Sequence, residues 1–400
     1  DTSRPMTSES TAEKAAGAIL TVDLGALAAN YALLCEKAAG AEVSAVVKAD
    51  AYGLGLGPVA ERLWMEGCRT FFVADVNEGK ALRAVLPEAV IYVLNGIFPG
   101  TAGLYAAAGL RPVIASLAEL AEWREAGAPL PAALHFDTGM NRLGMSAADA
   151  DAIAQDETLT RGIEVSLVMS HLACSDDEGH PRNALQLARF SGIWERLRPR
   201  FPGAVASLAN SGGIWLGADY HFGLVRPGVS LYGGNPFTGK ENPFRPVVRA
   251  EARVIALREV EPGETVGYSA TWSAPGEGDS GRKRVAILGA GYADGYFRAL
   301  SSTGNPESGG VVHIGGRACP IAGRVSMDMV AVDVSQVPEG AVTRGDMAEL
   351  IGPNITVDDV GLRAGTLGYE ILTALGRRYM RRYIAGPERD AVEKEGRGQA

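Results

Sequence analysis

The chain has 400 residues, 46% of them apolar and 21% charged, which is enough hydrophobic material for a sizeable core and a length that fits two domains. A net charge of −9 argues against nucleic acid or an anionic membrane as partner, since both need basic surface. The cysteines, Cys35, Cys68, Cys174 and Cys319, form no C-x-x-C pair, so neither a metal site nor a disulfide framework is expected and reduced thiols in a cytoplasmic protein are the default.

Residues 1–16 are polar, lack an apolar core of the signal-peptide kind and are expected to be disordered; no later run is long enough to span a bilayer. Residues 18–22 form a short apolar strand. Asp23 stands where it would cap a helix, and Leu24, Leu27, Tyr31 and Leu34 then recur at helical spacing. Strands and helices alternate from there. Strands are predicted at 44–48, 70–74, 90–94, 111–115, 132–136, 163–169, 205–208 and 224–226, with helices between them, for example at 58–66, 117–126 and 183–198. Eight strands with intervening helices are the pattern of a (β/α)8 TIM-type barrel, assigned to residues 17–240. A doubly wound open sheet is the alternative, but G-L-G-L-G at 53–57 is a poor dinucleotide loop.

The texture changes near 236–246. Strands now follow one another with little helix, at 247–260, 265–268, 285–288, 311–314, 329–334 and 347–351, and Glu261-Pro262-Gly263-Glu264 marks a turn. This predicts a C-terminal, mainly β domain over 241–384. It closes with a helix over 356–364, where Thr356 and Asp359 form a capping-box pattern, and another near 367–375. Residues 385–400 are charged, Gly-rich and expected to be a loose tail.

Barrel enzymes place their chemistry at the carboxyl ends of the strands. The reactive residue types here fall at those ends: Lys48; His135, Asp137 and Arg142; His171; Asn210 and Ser211; Arg226 and Gly228. Lys48 ends an apolar run, and burial there favours the neutral amine. A neutral amine forms a Schiff base with a carbonyl, pyridoxal phosphate being the common biological case. A lysine snorkelling to water is the competing structural reading.

The segment V-V-K-A-D-A-Y-G-L-G at 46–55 resembles the cofactor-attachment segment of the alanine racemases, with Asp50 and Leu54 where many members carry asparagine and histidine. D-T-G-M-N-R-L-G at 137–144 and G-Y-A-D-G at 291–295 resemble further motifs of that family, and the similarity runs from about Ala18 to Tyr383. It implies a pyridoxal 5'-phosphate enzyme that interconverts L- and D-alanine by a two-base mechanism, with D-alanine supplied for peptidoglycan. Lys48 and Tyr268 are implied as the catalytic bases. Lys48, Tyr52, His171, Asn210, Ser211, Arg226, Gly228, Val229 and Tyr369 are implied as cofactor-binding. His171 would lie flat against the pyridine ring, and Arg226 would face the ring nitrogen, where a carboxylate is common in other pyridoxal enzymes. Arg142 is implied to bind substrate, and Tyr292 and Met327 to line its entrance. A head-to-tail homodimer with shared active sites is also implied. The chain departs from many relatives at His135, where they carry a lysine that becomes carboxylated and braces the arginine matching Arg142. Other functions in view are a broad-specificity amino-acid racemase of this fold and a non-catalytic pyridoxal-phosphate carrier.

Overall fold

The computed structural model describes residues 11–275, 282–302 and 309–385. They form two compact units. Residues 26–245 make one; residues up to 25 together with those from 246 make the other.

The first unit is the barrel. Its strands are short, apolar and buried, as strands covered on both faces must be. Ala45–Val46, Thr70–Val73, Val90–Val93, Arg111–Ile114, Ala132–His135, Val165–Met169 and Val205–Ser207 lie side by side in sequence order as a seven-stranded parallel sheet. Leu224–Val225 closes it, pairing with Glu42–Val43 just ahead of the first strand. Continuity around the seam comes from Val46 N–H donating to the Pro227 carbonyl and from a parallel bridge between Asn210 and Arg226. Val46, Phe72, Tyr92, Val113, Ala133 and Leu167, from successive strands, pack as one cluster, so the barrel interior is filled.

The helices start and stop where their caps dictate. Asp75 accepts from the Asn77 and Glu78 amides to open Val76–Val85, and Ser116 accepts from Glu119 N–H to open Leu117–Ala126. A side-chain cap of this kind contributes about 1 kcal/mol. Leu120 and Trp123 face inward from the second of these helices and are essentially inaccessible, the leucine contributing roughly 1.5–3 kcal/mol by burial. Gly127 ends it in the left-handed conformation that a side chain disfavours.

The second unit is built on one long strand, Val248–Val260. Its first half pairs antiparallel with Ala18–Asp23 on one side and Met347–Ile351 on the other. Its second half pairs with Lys283–Leu288 after a register shift between Val254 and Ala256, and Val330–Asp333 adds to Lys283–Leu288. Met380–Ile384 lies parallel to Ala18–Asp23 at the end of the sheet path. Two expectations are corrected here. The strand at 18–22 was assigned with the barrel, but both its neighbours belong to the second unit; a strand buried on both faces reads the same in either sheet. Residues 11–16 are also ordered: Thr11–Ala15 is a short helix, and Arg253 donates to the carbonyls of Glu13 and Ala16. The remaining expectations of looseness, at 1–10 and 386–400, fall outside the described residues. The capping box of Thr356 and Asp359 is present at the head of Val357–Ala364.

Candidate functional site

Lys48 does not end a strand in the simple sense. It opens a left-handed turn: Ala49, Asp50, Ala51 and Tyr52 have φ of 54°, 55°, 54° and 56°. Left-handed backbone costs an L-residue about 1–2 kcal/mol. Such a run persists only where its surroundings over-determine it, and runs of this kind cluster at functional sites. Several contacts hold it. Ala51 N–H donates to the Val47 carbonyl, Ala49 N–H to Glu78 Oε1 at 2.7 Å, and Asp50 Oδ1 accepts from Leu56 N–H at 2.8 Å. The turn leaves the Lys48 amine half-buried. Burial first, then the neighbouring Arg142 guanidinium, lowers its pKa, with Glu78 opposing. It also lays the Tyr52 ring on that of Tyr232, centroids 4.6 Å apart, and Tyr232 is itself pinned by donating to the Val46 carbonyl at 2.8 Å.

Arg226 is 3% exposed at the end of the eighth strand and, among the described residues, has no carboxylate partner. Its guanidinium donates to Ser207 Oγ and the Ser170 carbonyl and stands 3.5 Å from His171 Nδ1. Burial pulls it down to about 9, so it remains a cation at neutral pH. That buried charge adds to burial in keeping the histidines neutral. His171 is held well below the ordinary value and His135 is pushed down to about 4, in each case by burial first and then by Arg226 and Arg142. Asp137 spends its carboxylate on the loop's own amides, Gly139, Met140 and Asn141. Burial alone would raise its pKa, but these donors outweigh that and lower it. Arg142 is exposed on the same loop, without a side-chain partner among the described residues.

Beside Tyr52, Ser211 Oγ accepts from Gly228 N–H at 2.9 Å and from Ser230 Oγ at 2.9 Å, which leaves its own proton to donate elsewhere. Gly228 is glycine for space: a Cβ there would collide with the Tyr52 hydroxyl. Val229 opens a 3-10 turn, so its N–H has no acceptor within that turn. Asn210 Oδ1 accepts from Ser175 Oγ and Gly213 N–H and shapes the preceding loop.

Of the predicted residues in the barrel unit, then, the structure gathers Lys48, Tyr52, His171, Asn210, Ser211, Arg226, Gly228 and Val229 at the carboxyl ends of the strands, with Arg142 close enough to act electrostatically. In the second unit Tyr268 is 71% exposed. It was expected at a strand end, but the strand stops at Val266 and Tyr268 heads a 3-10 turn in which Ser269 is left-handed. Tyr292 and Met327 are exposed on adjoining loops, joined by Tyr292 N–H to the Ser326 carbonyl and Ala293 N–H to the Met327 carbonyl. Tyr369 is half-buried in the helix Gly368–Ala374. Sequence reasoning missed Arg378, which grips Asp294 with two bonds of 2.7 Å and also reaches Asp328, tying those two loops together. It missed Glu78 as well; the available signal was a carboxylate three residues past the cap Asp75.

The arrangement suits pyridoxal phosphate. Hydroxyl and amide donors cluster at Tyr52, Ser211 and Val229 as an anion requires. Arg226 keeps its Nε–H unpaired among the described residues, and a lysine with a depressed pKa stands at the strand end. Fold and site together define a barrel enzyme of the pyridoxal-phosphate-dependent kind, an isomerase acting on an amino acid. Residues 22–236 match the alanine racemase N-terminal domain and residues 247–383 the alanine racemase C-terminal domain, and the chain belongs to the alanine racemase family of pyridoxal-phosphate-dependent isomerases. It is 52% identical to the alanine racemase of Methylobacterium nodulans, covering 94% of this chain and 98% of that one. It is 46% identical to a catabolic alanine racemase of Agrobacterium fabrum, covering 91% and 92%. Among solved structures it resembles alanine racemase from Bartonella henselae with covalently bound pyridoxal phosphate, at 38% identity and TM-score 0.84 over 92% of this chain and all of that one. It also resembles the biosynthetic enzyme of Pseudomonas aeruginosa, at 36% identity and TM-score 0.82, covering 92% and 99%.

Proposed function

We propose that this protein interconverts L- and D-alanine with pyridoxal phosphate held on Lys48. The observation that supports this most is the half-buried lysine at the end of the first barrel strand, its pKa lowered by burial and by Arg142. When bound, the cofactor supplies the electron sink that makes the Cα–H of an amino acid acidic. The remaining work falls to the chain. The Tyr52 and Ser211 hydroxyls, the Val229 amide and Tyr369 hold the phosphate, Asn210 and Gly228 shape its cradle, and His171, neutral, packs against the ring. Arg226 cannot accept a proton at its ring-facing end, so it stabilises the neutral pyridine and disfavours competing chemistry such as transamination. Arg142 matches its fork of donors to the substrate carboxylate. Lys48 and Tyr268 move the proton on opposite faces of Cα, Tyr268 taking it from L-alanine and Lys48 from D-alanine. Tyr292 and Met327 line the entrance.

We assign Tyr268 to the site of a second copy of the chain, in a homodimer with shared sites. A water-excluded site needs its barrel mouth covered, and the exposed Tyr268 surface of the second unit suits that use. D-alanine for peptidoglycan is the biosynthetic reading of the product. The names of its relatives include both catabolic and biosynthetic enzymes, and growth of a deletion strain with and without D-alanine separates the two. No helix among the described residues is long and apolar enough to cross a membrane; we assign the protein to the cytoplasm.

The direct test is optical rotation of L-alanine incubated with the holoenzyme and with Lys48→Ala. Wild-type protein should drive rotation to zero. The variant should lose both this activity and the visible absorbance of lysine-bound cofactor while keeping the wild-type far-ultraviolet circular dichroism. Retained absorbance in the variant would sink the assignment.

A further inference from the structure

Glu78 lies outside every motif that pointed to the site, yet its two carboxylate oxygens join the backbone beside Lys48 to the end of the neighbouring strand. Oε1 accepts from Ala49 N–H and Oε2 from Ala74 N–H, both at 2.7 Å. Glu78 sits at the third position of the helix Val76–Val85, where a glutamate ordinarily turns back to the amide of its own cap. Here the carboxylate bypasses that amide: while Asp75 caps the helix by accepting from Asn77 and Glu78, the Glu78 side chain takes Ala74 N–H, one residue ahead of the cap, and Ala49 N–H, and so spans two strands.

We infer that Glu78 is a positioning residue for Lys48, the clamp that holds the left-handed turn Lys48–Tyr52 in the orientation from which its lysine and tyrosine act. The inference rests on the reading of Lys48 given above. Ala49 is the first left-handed residue after the lysine, and its amide is the one that Glu78 takes. If Ala49 relaxes to an ordinary conformation, the chain leaves the strand in another direction and both Lys48 and the Tyr52 ring are misaimed. Only a carboxylate fits, because each oxygen faces an N–H; an amide at this position would set its own donors against one of them. Glu78 also faces Lys48 as a charge, among Arg142 and His171, and favours the protonated amine.

The chain contains its own control. Glu119 occupies the same place in the helix Leu117–Ala126, accepts from Ala115 N–H at 3.2 Å and from Ile97 N–H at 3.4 Å, and thus joins the end of one strand to the loop that follows another. No left-handed run follows there. If the role of Glu78 is only to tie strand ends together, the two glutamates should be equivalent.

The experiment compares Glu78→Gln, Glu78→Asp and Glu119→Gln as holoenzymes, by backbone hydrogen exchange and by steady-state kinetics. For Glu78→Gln we expect faster exchange in the peptide covering 48–57, unchanged exchange within 76–85, and kcat lowered about 100-fold by misplacement of the lysine. Glu78→Asp keeps the charge but is too short to reach both amides, and should show the same local loss of protection; it carries the test if the amide variant does not fold. Glu119→Gln should leave 48–57 protected and kcat within about twofold, since no reacting group moves. Wild-type protection of 48–57 in the folded Glu78 variants, or an equal loss of protection there in Glu119→Gln, overturns the inference. Failure of the functional reading is distinct: the wild-type protein itself would then leave L-alanine unchanged.

Discussion

Asp137 and Arg142 share one loop, yet the carboxylate of the first is turned onto the amides of Gly139, Met140 and Asn141 and not onto the guanidinium of the second. His135, two residues before Asp137, cannot form the carbamate that a lysine there would offer. Arg142 is therefore braced neither by a carbamate nor by the Asp137 carboxylate. The expected consequence is activity that does not depend on bicarbonate. Rates measured in degassed buffer and in buffer with added bicarbonate should agree, and a clear bicarbonate requirement would refute this.

Gly228 makes room for the Tyr52 hydroxyl, so the Cβ added by Gly228→Ala should push that hydroxyl out of place. Losing one good hydrogen bond to a bound phosphate weakens cofactor affinity about tenfold. Titration of cofactor-free protein with pyridoxal phosphate, followed by absorbance, measures this; unchanged affinity would remove Tyr52 from the cradle.

His135 is 7% exposed and its imidazole is pushed down to about 4, by burial, then Arg226, then Arg142, with Asp137 opposing. In the unfolded chain the ring titrates near 6.5. Between these values the unfolded chain binds a proton that the folded protein refuses, so stability falls as pH is lowered from about 6.5 towards about 4. The interval corresponds to roughly 3 kcal/mol. Urea denaturation of wild type and His135→Asn across this range should show the difference between them changing by that order. Parallel curves would mean that the ring titrates normally.

Mixing Lys48→Ala subunits with Tyr268→Phe subunits tests the shared site. Each variant alone should be nearly inactive. In a hybrid dimer with shared sites, one site carries both lesions and the other none, so activity returns on mixing. Absence of recovery, with hybrid dimers verified by native mass spectrometry, would place Lys48 and Tyr268 of one subunit in one site.

Much of the barrel was legible because buried parallel strands are short, continuous apolar runs, as in Thr-Phe-Phe-Val at 70–73. What escaped was geometry that leaves no mark on composition. Ala49-Asp50-Ala51-Tyr52 carries no glycine, so nothing in it announces four left-handed residues; long-range contacts such as that of Glu78 impose them. Met380–Ile384 reads as a polar segment because of Arg381 and Arg382, although Arg382 donates to Thr21 on the neighbouring strand. Ala18–Asp23 was placed with the barrel because a buried apolar strand of six residues carries no mark of which sheet it joins.

The position of that strand has a consequence for biosynthesis. Ala18–Asp23 lies between Val248–Val260 and Met380–Ile384, so among the described residues the first strand is flanked by the last. On the ribosome its apolar residues must wait while the barrel residues 26–245 are translated and can fold as a compact unit. During that interval Ile19, Leu20 and Val22 lack the sheet partners that cover them in the folded protein. Translation stopped short of Met380 would leave it with an unpaired edge.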